Sequence, residues 1–117
     1  MVFSKLEQNA IAYVVEEMLS YGSGSSIEKN TAHSLLNKVG YDPNSSNHSK
    51  MIFQDAINII KPLSLEKKKA ILAILANIMV ADGNVKLEKS QWLNTITMYC
   101  DVPMMSWDEA WRVIDSL

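Results

Sequence analysis

Two carboxylates either side of a glycine, Asp82 and Glu88 around Gly83, are the residues of this chain whose types and spacing could do chemistry. Glu88 falls in the first turn of whatever helix follows the loop, so its carboxylate could converge on that of Asp82. Two converging carboxylates can hold a hard divalent cation weakly, with water completing the shell. The structural alternative is that Gly83 supplies an unusual backbone angle after a helix, while Asp82 or Asn84 accepts amide hydrogen bonds at the next helix's N-terminus. A standard EF-hand is excluded. With Gly83 at its sixth position, Ile78 and Val80 stand where oxygen ligands belong, and Lys89 stands where a bidentate glutamate should close the site.

The other reactive residue types are sparse. His33 and His48 are fifteen apart with no further ligand at metal spacing, and read as surface or boundary residues. Cys100 has neither a histidine nor a helix N-terminus near it in sequence, and reads as a packed thiol. No Gly-rich phosphate loop, Gly-x-Ser-x-Gly elbow or His-Glu-x-x-His motif occurs. No catalytic residue is therefore assigned, and the chain reads as non-enzymatic; a metal hydrolase built on Asp82 and Glu88 is a third reading. Met98, Met104, Met105, Trp107 and Trp111 gather near the end of the sequence, where flexible thioethers and large rings either fill a core or, at Met104, Met105, Trp107 and Trp111, form a contact surface, including one for a homodimer. Lys67, Lys68 and Lys69 read as a solvated face, or as a site for an anionic partner or lipid headgroup.

These residues need elements to hold them. The 117 residues have room for one domain spanning 1–117, and 48% hydrophobic content supports a true core. A net charge of -2 with one arginine, Arg112, argues against nucleic acid. The single cysteine makes no demand for an oxidising compartment, and the N-terminus lacks the pattern of a secretory signal, so a cytoplasmic location is expected. The most apolar segment, Ala70 to Ala81, would extend only about 18 Å as a helix, too short to span a bilayer.

Helix starts are legible. Ser4…Glu7, Ser25…Glu28 and Ser106…Glu109 fit the capping box, and Ser64 offers a further N-cap. Six helices are expected, at 5–20, 26–39, 47–61 (from Ser46 or Asn47), 65–81, 86–100 and 107–116. Apolar spacing puts Leu6, Ala10, Val14 and Met18 of the first, and Trp107, Ala110, Trp111 and Ile114 of the last, against a shared centre. That centre is the helix 65–81, apolar all round. The fold class is therefore all-α, a compact bundle of about six helices around a buried central helix. A faint repeat at sixty residues aligns Ala10-Ile11 with Ala70-Ile71, Gly22-Ser23 with Asp82-Gly83, and Glu28-Lys29 with Glu88-Lys89. A true duplication predicts a pseudo-twofold pairing of two helical hairpins.

The segment Ala81-Asp82-Gly83 to Glu88, with Val85 between and the apolar helix before it, resembles the central loop of tellurite-resistance TerB-like domains. These are small all-helical domains also found in a membrane-anchored DnaJ-like co-chaperone. The resemblance covers roughly residues 6–105. It implies a non-enzymatic regulatory or protein-interaction domain of a bacterial stress-response system, within a complex that can be membrane-associated, with weak divalent-metal binding carried by Asp82 and Glu88. The first half departs from the pattern, since Gly22-Ser-Gly-Ser-Ser26 has no acid where the family often shows a second Asp-Gly turn. The alternative is a partner-binding protein of another kind, such as an immunity protein that neutralises a toxin.

Overall fold

Residues 1–44 and 51–117 are described, from a computed structural model. Six helices make up their regular structure: α1 Lys5–Ser20, α2 Ser26–Lys38, α3 Phe53–Ile60, α4 Leu65–Val80, α5 Leu87–Tyr99 and α6 Trp107–Asp115. No strand occurs among the described residues. Five helices lie within one residue of expectation at each end, and α3 is the correction. Met51 and Ile52 are not helical, and α3 begins at Phe53, where the Asp55 carboxylate accepts the Ile52 N–H at 3.3 Å. A carboxylate in the first turn thus satisfies one orphan amide from within the helix. Ser46, Asn47 and His48 lie outside the described residues.

The capping boxes close in only one place. Ser4 and Glu7 exchange both hydrogen bonds at 3.1 Å. At α2 and α6 the serine half forms, with Ser25 accepting from Glu28 N at 3.2 Å and Ser106 from Glu109 N at 3.2 Å. The glutamate side chains turn instead to lysines of other helices, Glu28 to Lys89 and Glu109 to Lys69. An ion pair between elements has displaced a local backbone bond.

That choice also explains the lysine run, which is not a solvated face. Lys67 pairs with Glu7 of α1 at 2.8 Å, and Lys69 with Glu109 of α6 at 2.7 Å. Lys68 donates to the Cys100 carbonyl at 2.9 Å, at the negative end of α5. Three consecutive residues thereby strap α4 to three neighbours.

The two halves repeat. α1 and α4 are each sixteen residues long and sixty apart. α2 and α5 are each thirteen long and sixty-one apart, so one extra residue enters at the turn and the ungapped register expected from sequence slips there. Burial follows the same registers. Ala10, Ile11, Ala12, Val14, Val15 and Met18 are buried, as are Ala70, Ile71, Leu72, Ile74, Leu75 and Ile78. Contacts repeat too: α1 packs on α2 and α3 as α4 packs on α5 and α6, and α1 meets α5 as α4 meets α2. Reciprocal contacts of this kind belong to a twofold arrangement rather than a linear stack. The centre is therefore the pair α1 and α4, with α4 buried as expected. Leu6 is exposed, contrary to its expected place in the core, as is its counterpart Glu66, because the first turn of each central helix projects past the core.

Candidate functional site

The Asp82 loop meets the Gly22 turn at one end of the bundle. The Asp82 carboxylate accepts from Ser23 Oγ at 2.9 Å, from Ser25 Oγ at 3.3 Å and from the Asn84 N–H at 3.0 Å, with Lys89 Nζ 3.6 Å away. The Asn84 amide first, then Ser23, lowers its pKa to about 2. Gly83 takes φ +75°, the left-handed backbone a glycine adopts without a Cβ penalty. Asp82 does not cap α5: the N-cap is Lys86, without a side-chain bond, and Asp82 instead closes its own loop and ties it to the first half.

Behind Asp82, Lys89 Nζ pairs with Glu28 Oε2 at 3.1 Å, both side chains at 0% exposure. Glu28 Oε1 has no hydrogen-bond partner and lies against Gly22, where an added Cβ would overlap it. Sequence reasoning missed both residues. Glu28 was legible only as half of a capping box. Lys89 needed the one-residue slip after the turn, which makes it, and not Glu88, the counterpart of Glu28.

These residues do not fit a divalent cation at Asp82 and Glu88. The Asp82 oxygens already face an ammonium, two hydroxyls and an amide, and a cation would have to enter against the charge of Lys89. Glu88 is exposed, and no three His, Cys, Asp or Glu side chains stand together as a metal site among the described residues. Cys100 is buried, and burial pushes its thiol pKa up, which makes it a packing residue. His33 is exposed on α2.

The second feature is a groove of about 210 Å³ between α4, α5 and α6, floored by Leu72, Ala76 and Leu93 and edged by Met104, Met105 and Trp107. Of the four residues expected to form an interface, Met105 is half-buried against the core. Met104 is 94% exposed, and Trp107 and Trp111 are 47% and 48% exposed. The two rings lean on each other one turn apart, centroids 6.2 Å apart, as a ridge on the outside of α6. Their expected place in the shared centre is thus corrected: Ala110 alone of α6 is fully buried, with Val113 and Ile114 partly so. Met98 stands 74% exposed on α5.

The first half supplies an internal control. Its own groove is lined by Glu16, Leu19, His33, Leu36, Asn37 and Tyr41, with Pro43 from the loop after α2 as Pro103 comes from the loop after α5. In the helix registers Glu16 corresponds to Ala76, His33 to Asn94 and Leu36 to Thr97, while the counterpart of Asn37 is Met98, beside the second groove's lining residue Thr97. Aligning the buried Ala56 and Ala110 matches Phe53 with Trp107 and Ile57 with Trp111. Phe53 is covered by the edges of Trp92 and Tyr99, and Ile57 is buried. The fold accepts a glutamate at the place of Ala76 and a covered aliphatic at the place of Trp111, so neither the apolar floor at Ala76 nor the exposed tryptophan ridge is a requirement of folding.

Scanned against protein-family models and curated proteins, the chain matches none. Among solved structures it is similar to a protein of unknown function from Porphyromonas gingivalis W83, at TM-score 0.80 and 21% identity over 98% of this chain and 92% of that one. The likeness is one of fold.

Proposed function

We propose that the protein is a non-enzymatic protein-interaction domain that engages its partner through the groove between α4, α5 and α6. One observation carries this reading: Met104 and Trp107 are large, apolar and exposed at the edge of one groove, with the exposed Trp111 leaning on Trp107, where the other half has Glu16 in place of Ala76 and covered residues, Phe53 and Ile57, in place of the two tryptophans. Aromatic and methionine side chains are enriched at the centres of protein interfaces, and the partner's contact would bury what the fold leaves open. The setting assigned is the bacterial stress-response system implied by the TerB-like resemblance, which the all-helical fold and the helix–Asp-Gly–helix loop support. An immunity protein would use the same groove, and neighbouring genes separate the two settings.

A photo-crosslinking residue placed at Met104, which edges the groove, with one at Asn37 in the groove of the first half as control, tests the reading in the native cell. An adduct of defined mass from position 104 and none from 37 is expected. Adducts from both positions, or from neither, would overturn it.

A further inference from the structure

We infer that the groove of the first half, between α1 and α2, binds a small organic ammonium ion, with Glu16 taking the cation and Tyr41 a hydrogen-bonding group of the same molecule. The first ground is charge placed at the groove itself. Glu16 lines it and forms no ion pair among the described residues, of which no lysine or arginine stands in the lining. Lys29 and Lys38 belong to α2 but lie outside that lining. The complement of an unpaired carboxylate is a cation, and an acidic ligand would be repelled.

The second ground is Tyr41. It is only 7% exposed, yet it lines the groove, and its hydroxyl makes no hydrogen bond among the described residues. A buried phenol usually finds a partner for its hydroxyl, and a ligand in the groove supplies one here.

The third ground is the other half of the chain. Tyr41 and Val102 follow Gly40 and Asp101, which both take positive φ, and their amides donate to Leu36 O at 3.0 Å and Thr97 O at 3.2 Å, so the two residues are equivalent. Val102 is as buried as Tyr41, at 7%, and has no hydroxyl. Ala76 holds the place of Glu16. The shared architecture therefore requires neither the carboxylate nor the phenol, and both occur together in one groove.

Size and walls select an organic cation over a metal ion. The groove measures about 420 Å³, within the range that small molecules occupy, and Leu19, Leu36 and Pro43 give it apolar walls. No three His, Cys, Asp or Glu side chains stand together as a metal site among the described residues. Exposed His33 and Asn37 add hydrogen-bonding groups for an organic body.

The test follows the isotope-labelled full chain by NMR as tyramine, tyrosol or 3-(4-hydroxyphenyl)propionate is added. The three probes share a phenol and its short arm and differ in the ammonium, hydroxyl or carboxylate at the end. Amide shifts of His33, Leu36, Asn37 and Tyr41 report this groove, and those of Asn94, Thr97, Met98 and Val102 report its counterpart. Tyramine is expected to bind saturably at the first groove, at least about tenfold tighter than the propionate, with tyrosol between. Glu16→Gln should reduce tyramine to the affinity of tyrosol, and Tyr41→Phe should weaken it about threefold, as for one hydrogen bond. Glu16 is exposed and Tyr41→Phe keeps the buried ring, so both variants should fold, which the rest of each spectrum checks. Equal binding of tyramine and the propionate, or tyramine affinity unchanged in Glu16→Gln, would overturn the proposal. So would the lack of any saturable shift, or shifts no larger at the first groove than at the second. A protein crosslinked at Asn37 would assign the groove to a partner's lysine and overturn it as well.

Discussion

Glu28 and Lys89 occupy the same place, the third residue, of α2 and α5, and their side chains meet at 3.1 Å with no exposure to solvent. Glu7 and Lys67 repeat the relationship at the third residues of α1 and α4, at 2.8 Å. Equivalent residues of two halves touch only near the axis that relates them. Identical halves would set glutamate against glutamate there; the glutamate of one half and the lysine of the other turn that clash into attraction.

Removing one partner of the inner pair strands a buried charge. Lys89→Met should cost about 3–5 kcal/mol, because Glu28 keeps its desolvation without its counter-ion. Adding Glu28→Leu should recover much of that loss, since an apolar pair of similar volume demands no ion pairing. Urea unfolding of both singles and the double measures it. A double variant as unstable as the sum of the singles would argue against the pair as described.

Gly22 is constrained by Glu28 rather than by its own backbone. Gly22→Ala should destabilise by about 1–3 kcal/mol through overpacking against a carboxylate fixed by Lys89. In a Glu28→Ala background the same change should cost little. Gly83→Ala differs: it meets nothing within 4 Å but must hold a positive φ, so its cost should be the same in both backgrounds.

The Asp82 carboxylate gives acid stability a definite window. Its folded pKa, about 2, lies below the ordinary 3.8, so the native state binds fewer protons there than the unfolded chain. Its contribution is complete above about pH 4 and is lost as pH falls toward 2. The stability gap between wild type and Asp82→Asn should therefore be constant from pH 5 to 7, in the sense of about one pH unit above the transition, and should close on acidification. A gap that widens below pH 4 would show that the carboxylate is not held as the Asn84 amide and Ser23 place it.

Thermal unfolding in Ca2+, Mg2+ or Mn2+ should match that in EDTA, because the Asp82 oxygens are already engaged by Lys89, Ser23, Ser25 and Asn84. A bound cation at a hundred times its dissociation constant would add about 2.7 kcal/mol, a shift too large to miss. A cation-specific shift that disappears in Asp82→Asn would contradict this.

Much of the fold was written in the sequence because its signals are local. Serines at positions 4, 25, 64 and 106 accept the amides they were expected to, and apolar spacing identified α4 as a buried helix. What was not legible depends on which distant side chain competes for a group. Glu28 and Glu109 look like capping-box residues until lysines of other helices take them. Trp107 and Trp111 follow the core period of α6, yet stand outside it because Ala110, Val113 and Ile114 already fill the contact with the core. Asp82 and Glu88 invite a metal from their spacing, and only the fold shows Lys89 standing where the cation would be.

The groove itself is tested by combining Ala76→Glu with the crosslinker at Met104, in cells, alongside the thermal midpoint of the same variant. The midpoint should stay within a few degrees of wild type, because the first half carries Glu16 at the equivalent place in its own groove, while the adduct disappears. An adduct of undiminished yield in a folded Ala76→Glu protein would mean that the partner does not enter between α4, α5 and α6.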